Sequence, residues 1–427
     1  MNILFIKDLN IRSYITLSVI RQKILLFCVA LSYIIFLNFS QTEQGQLVNP
    51  LLLYTRVIPT FVIFALTIAL NVGRRFPQSI RELFRFPSIG VFWFLFVSIL
   101  WGFVQNIQPL WSAWKCFEMV VVLYMGISIA LQCREQPGFF FKVVELVNIL
   151  SLILCLWILY LRFVVQGYSI EQLIFLRLNT EVPKMNAINL SVISAFGLFY
   201  NCIKIRRTTF FRLLIIVVFL LIFIASKSRT GLVVILVYIL FWSVLHLRSS
   251  WKIGSILLGL GIGSLVVNQQ VLEVLRISDR QEVLTLGGRL SSNVNETGAW
   301  PETLRFVERN MFIGLGNINL SRFLDEKRFA VDNFFLQSIL ASGLFGSIIY
   351  FAVLFYLAFW WCRIVFSGAL RSNGKGPLIK IVSILFIIAF TRSLTTNDLA
   401  FHGFGFLLFV LLFTIYINRR ILRYELQ

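Results

Sequence analysis

The chain has 427 residues, of which 58% are hydrophobic and 14% charged, with 44 Phe and a mean hydropathy of +0.85. Soluble domains run at about 45–50% apolar and about 25% charged, so this composition excludes a soluble globular protein and points to an all-α, polytopic integral membrane protein. The net charge of +20 would suggest a nucleic-acid partner in a soluble chain, but its distribution along the sequence argues against one.

A membrane-crossing helix needs about twenty mostly apolar residues. Taken in chain order, twelve runs approach this: 24–39, 52–72, 88–105, 112–131, 143–164, 185–203, 210–226, 229–247, 252–268, 336–361, 378–393 and 399–418. The first is preceded by Lys7, Arg12, Arg21 and Lys23, with no small-residue cleavage site before Gln41. It reads as an anchored helix and not as a cleaved signal. The run 185–203 is rather polar, and 210–226 and 229–247 are separated by only a few residues.

The positive-inside rule tests the count, because one missed helix inverts every later loop. With the N-terminus cytoplasmic, the inner segments carry 23 of the 39 Lys and Arg, and the short outer loops carry five: Arg177, Lys184, Lys227, Arg229 and Arg392. The rule is met at every turn by twelve helices with both termini cytoplasmic. The basic excess is therefore an orientation signal, reinforced by anionic lipid on the inner face.

The same count places residues 269–335 outside, between the ninth and tenth runs, as one large extracytoplasmic loop in an otherwise single transmembrane domain spanning 1–427. This loop is polar and nearly charge-balanced. Within it, 301–310 (PETLRFVERN) has a Pro suited to a first helical position and is expected to be helical. No internal repeat is visible. The six cysteines lie in or beside apolar runs without CxxC spacing, which suits small buried hydrophobes, with no disulfide framework and no metal site.

An outward-facing site has no ATP, so bond formation there needs a pre-activated donor such as a sugar on polyprenyl pyrophosphate. A leaving pyrophosphate must be met by concentrated positive charge. A hard metal ion would need clustered carboxylates, which the outer loops lack apart from Asp325-Glu326. Arginine supplies fixed charge and a forked set of donors. Arg229, with Lys227 beside it in SKSRTGLVV, and Arg392 in AFTRSLTTND stand at outer helix ends, against the topology signal. The alternative is a set of snorkelling interface cations. Arg289 in GGRLSS is flanked by glycines that permit close approach.

Lys115 and Glu118 are three apart, as an intrahelical ion pair or as a helper for phosphate. Arg56 and Arg162 are expected to snorkel, and Glu145 to be structural. Asp332, where the loop re-enters the membrane, is either a helix cap or a general base for an incoming hydroxyl. His402 lies at an outer helix end, whereas His246 falls on the cytoplasmic side. Gly343 and Gly346, and likewise Gly259 and Gly263, read as small residues allowing close helix packing.

Four stretches, in order, resemble the O-antigen ligase and O-antigen/exopolysaccharide polymerase superfamily of bacterial membrane glycosyltransferases. RLNTEVPKMN, from Arg177 to Asn186, resembles that family's Arg…Pro-x-x-Asn entry. SKSRTGLVV places Arg229 on the arginine of its Ser-x-Ser-Arg turn. Arg289, Trp300, Gly314 and Gly316 follow its loop pattern of an arginine, a tryptophan and a Gly-x-Gly. DNFFLQSILASGLFG resembles the His-Asn-x9-Gly-x-x-Gly signature at Asn333, Gly343 and Gly346. The likeness covers roughly 177–346. One departure stands out: ligases of this superfamily usually carry His where this chain has Asp332, and Asp there is more like the polymerases.

The resemblance implies an inverting, metal-independent glycosyltransferase of the C type, without cofactor, in the bacterial inner membrane with its site facing the periplasm. It would join undecaprenyl-pyrophosphate-linked repeat units into O-antigen or exopolysaccharide. Asp332, Arg229 and Arg289 would be catalytic. Arg392, Lys227, Arg177, Lys115, Asn333, Trp300 and His402 would bind pyrophosphate or glycan. The expected partners are lipid-linked donor and acceptor, membrane lipids, a chain-length regulator and a flippase. The alternatives are a ligase moving glycan onto lipid A core or protein, and a flippase or transporter. The ionisable groups gather at outer helix ends and in one loop, whereas transporters place them at midplane in broken helices.

Overall fold

The computed structural model describes residues 2–37, 53–73, 75–106, 109–169, 172, 187–204, 209–226, 228–246, 307–316, 334–366, 377–395 and 403–418. Every regular element among them is helical: α1 (Asn2–Leu37), α2 (Ile58–Asn71), α3 (Phe76–Leu83), α4 (Ser88–Val104), α5 (Pro109–Glu135), α6 (Phe139–Tyr160), α7 (Ala187–Lys204), α8 (Thr209–Ser226), α9 (Arg229–His246), α10 (Phe334–Phe366), α11 (Pro377–Thr395) and α12 (Phe404–Ile417). Single π-helical turns precede α2 (Leu53–Val57) and follow α6 (Leu161–Val165). Eleven of the twelve apolar runs fall on these helices, and the run 252–268 lies outside the described residues. Among the described residues five helices are long and apolar enough to cross a membrane, or six if α3 and α4, bent by 72°, are counted as one span. The protein is an all-α polytopic membrane protein.

Local chemistry sets the breaks. Proline stands at or next to the first residue of α2, α3, α5 and α11, where its missing N–H costs nothing. Pro137 and Gly138 turn the chain between α5 and α6. Inside the bundle, α12 is buried along almost its whole length and α5 is nearly as enclosed. These two run parallel. Val410 packs on Gly126, the Thr414 hydroxyl donates to the Gly126 carbonyl at 3.1 Å, and the Asn418 amide donates to the Ala130 carbonyl at 3.3 Å. Such interhelical bonds contribute about 0.6–2 kcal/mol each in a membrane setting.

α4 and α10 run antiparallel, with Gly90 against Val353 and Gly346 against Val97. Gly346 thus acts in helix packing as its spacing suggests. Gly343 does not. It has φ 63° and ψ −178° and breaks α10. Phe334 meets Tyr350 edge-on at 5.1 Å, and Phe335 lies 4.9 Å from Phe351. In a straight helix, residues sixteen apart would be about 24 Å apart. α10 is therefore a helical hairpin: 334–342 folds back along 344–366, with Gly343 at the turn. The expectation of one continuous span over 336–361 is corrected accordingly. The longer arm alone covers about 34 Å, enough for a hydrocarbon core of about 30 Å.

Four cysteines are buried, as a small hydrophobe should be, whereas Cys202 is exposed and Cys362 intermediate; all six are free thiols.

Candidate active site

The SKSR turn joins α8 to α9 by side-chain capping. The Ser226 hydroxyl donates to the Phe223 carbonyl at 2.6 Å, closing α8, while the Ser228 oxygen accepts from the Gly231 amide at 3.4 Å and opens α9. Serine is suited to this because its short side chain reaches the free amides of a first turn. Arg229 is the first residue of α9. Two residues later, Gly231 lies directly against α7: a Cβ there would sit 2.6 Å from Ser191 Cβ and 2.8 Å from the Phe223 ring.

The same end of α7 reaches α11. Arg392, near the C-terminal end of α11, is 1% exposed, and its Nη2 donates to Asn189 Oδ1 at 2.6 Å. Thr391 and Ser393 beside it are buried as well. A guanidinium buried in a membrane bundle is costly and marks a functional position by default. The end of α11 and the starts of α7 and α9 thus converge. Arg392 and the backbone of Arg229 share one neighbourhood, linked through Asn189 and Ser191.

A second feature is the dock of 311–316 on the α10 turn. Because the hairpin interrupts the helical ladder, carbonyls near the turn lose their usual donors. The Leu315 amide donates to the Leu340 carbonyl at 2.6 Å, and the Gly316 amide to the Ala341 carbonyl at 3.0 Å. The Leu344 amide, which the break also frees, donates to the Met311 carbonyl at 2.7 Å. Irregular backbone is tolerated in a membrane protein where the protein itself satisfies it. Glycine is required at each contact. A Cβ on Gly343 would strike the Phe312 carbonyl; one on Gly314 would lie 2.5 Å from the Ala341 oxygen; one on Gly316 would lie 2.6 Å from Gly102 Cα and 2.9 Å from the Ser112 hydroxyl. The Gly-x-Gly at 314–316 and the glycine at 343 are therefore two halves of one joint.

Third, Arg56 corrects the expectation of a snorkelling side chain. It is 8% exposed and makes a bidentate pair with Glu118, Nε to Oε1 at 3.0 Å and Nη2 to Oε2 at 2.8 Å. Lys115 Nζ is 3.3 Å from the same Glu118 Oε2 and 4.7 Å from the Trp111 ring centre, and the Trp114 indole donates to Glu118 Oε1 at 2.9 Å. Both sequence readings of Lys115 stay compatible with this, but the ion pair has a third member from α2's entry turn. Arg162, by contrast, is only partly buried, donating to Gln166 Oε1 at 2.7 Å and lying 5.1 Å from the Tyr168 ring. Glu145 is held by Tyr200 and by Lys204 at 2.6 Å.

The three features lie at one end of the bundle. Gly316 and Ser112 fix the hairpin turn at the start of α5, Lys115 and Glu118 follow within two turns, and α5 runs parallel to α12, which packs against α11. Of the sequence candidates, Arg392 and Lys115 are fully described and Arg229 by its backbone. Arg177, Lys227, Arg289, Trp300, Asp332, Asn333 and His402 lie outside the described residues, as do Gly259, Gly263 and 301–306. Of the expected loop helix, 307–309 form a single helical turn. Asn189, Arg56, Glu118 and Trp114 were not singled out as site residues; Asn189 follows Asn186 of the α7 entry motif by three positions, one helical turn, which was the available signal.

No curated protein matches the chain significantly. The family model described as O-antigen ligase matches residues 214–351, a stretch that contains the SKSR turn, the start of α9, the 311–316 dock and the hairpin turn of α10. Over this stretch, about a third of the chain, the sequence is similar to the O-antigen ligase/polymerase superfamily.

Proposed function

We propose that the protein polymerises polyprenyl-pyrophosphate-linked oligosaccharide repeat units at the outer face of a bacterial inner membrane. The observation that carries this reading is the convergence of the buried Arg392 with the start of α9 at Arg229. In the transfer, an acceptor hydroxyl attacks the anomeric carbon of the donor sugar. A new glycosidic C–O bond forms, the bond from that carbon to the pyrophosphate oxygen breaks, and the pyrophosphate leaves with the electron pair. Fixed cations aimed at the developing negative charge lower that barrier, and guanidinium suits phosphate by its forked geometry. In this account Arg229, Arg289 and Arg392 meet the pyrophosphate, and Asp332 takes the hydroxyl proton or orients the acceptor.

The positive-inside distribution supports placing this end of the bundle outside, and Asp at 332 favours polymerase over ligase. The description of the matching family, O-antigen ligase, favours a second reading, in which the same chemistry delivers a finished glycan to lipid A core. The test is complementation of a strain lacking the native gene with Arg229→Ala, Arg289→Ala and Arg392→Ala, with membrane insertion monitored in parallel. The expected result is normal insertion and loss of high-molecular-weight glycan. Undiminished polymer in all three variants overturns the pyrophosphate clamp.

A further inference from the structure

The stretch 308–316 changes character twice within nine residues. Glu308 and Arg309 are exposed and charged, Gly314, Leu315 and Gly316 are buried in the dock on α10, and between them Met311, Phe312 and Ile313 are 38%, 76% and 45% exposed. The main chain on both sides of this apolar tip is held: Met311 through its carbonyl to Leu344, Phe312 through its carbonyl against Gly343, and Leu315 through its amide to Leu340. Three apolar side chains thus project outward from a fixed backbone, beside the exposed charges of Glu308 and Arg309.

Their surroundings say what they meet. Just past the turn, Phe345 is exposed and lies 5.2 Å from the Trp93 ring of α4. The outer face of α4 carries exposed Phe96, Leu100 and Phe103 at successive turns, and that of α10 continues with Ile348. Gly316, on the far side of the tip, abuts Gly102 of α4, next to exposed Phe103 of this apolar strip. The arm 344–366 is about as long as a hydrocarbon core is thick; an arm that spans such a core puts the turn at Gly343, and the tip beside it, at the boundary between acyl chains and headgroups. Charged residues immediately before apolar ones fit that boundary.

We propose that Met311, Phe312 and Ile313 are seated among the lipid acyl chains of the leaflet covering this end of the bundle, and moor the large loop to the membrane surface. Glu308 and Arg309 then lie at headgroup level. The proposal stands apart from the reaction proposed above. It is tested on the full-length protein in phosphatidylcholine–phosphatidylglycerol proteoliposomes, with a photoreactive diazirine analogue of phenylalanine placed in turn at Phe312, at Phe96 as the lipid-facing reference, and at Arg309. After irradiation, adducts are assigned by mass spectrometry. The expected result is a lipid-adduct yield at 312 comparable with that at 96, and mainly water adducts at 309. Mainly water adducts at 312, or mainly cross-links from 312 to the chain itself, overturn the proposal.

Discussion

Arg392 and Asn189 stand 203 positions apart and meet at 2.6 Å, a buried charged donor on the oxygen of a half-buried amide. A hydrogen bond to a charged group contributes about 1.5–3 kcal/mol, which corresponds to roughly tenfold to a hundredfold if it is expressed in the transition state. Asn189→Ala should therefore slow glycan transfer by about that range. Arg392→Lys keeps the charge but loses the planar fork and should slow transfer at least as much. Initial rates of glycan extension in isolated membranes measure both.

Gly231 links α9 to α7 through Ser191. Gly231→Val forces the first turn of α9 away from Ser191 and so displaces Arg229 from Arg392. The expected outcome is a protein that inserts and retains its helical content but loses transfer activity. Circular dichroism and the same rate assay separate the two effects, and unchanged activity would show that the spacing of the two arginines is unimportant.

The ion cluster around Glu118 makes a stability prediction. Removing one partner of a buried pair costs about 3–5 kcal/mol because the other charge is left uncompensated. Glu118→Gln strips the carboxylate from both Arg56 and Lys115 and should lower the thermal midpoint in detergent strongly. Lys115→Met leaves the bidentate Arg56–Glu118 pair intact and should be milder. The reverse order would contradict the cluster.

Glycines at positive φ offer an internal comparison. Gly343 and Gly73 both have left-handed φ, 63° and 85°, but a side chain at Gly73 has nothing within 4 Å, whereas one at Gly343 collides with the Phe312 carbonyl. Backbone strain alone costs about 1–3 kcal/mol. Gly343→Ala should thus destabilise more than Gly73→Ala, and should also disturb transfer by loosening the 311–316 dock. Thermal midpoints of the two variants, measured side by side, check the order.

Apolar runs of the right length announced nearly every helix among the described residues, because a chain in lipid must close its hydrogen bonds within each segment. The hairpin in α10 was not legible. Residues 334–366 are predominantly apolar on both sides of the turn, and the fold-back is decided by Gly343 and by a partner, 311–316, that lies twenty-seven or more positions upstream. Arg56 was misjudged for a related reason: it sits near a helix end, where snorkelling is the default, and its bidentate partner Glu118 is 62 positions away. Arg229 and Arg392 stood out because they run against the charge bias, but their convergence depends on Asn189, Ser191 and Gly231, none of which carries a charge.

Repeated glycan transfer between two lipid-linked substrates is what sets a polymerase apart from a ligase. It is tested most directly by incubating the purified protein in proteoliposomes with polyprenyl-pyrophosphate-linked repeat units as the sole substrate, and resolving the products by size. A ladder of glycans spaced by one repeat unit is expected, and it is lost in Arg392→Ala. No product without added lipid A core, and a single transfer when it is supplied, would contradict polymerisation and establish the ligase reading in its place.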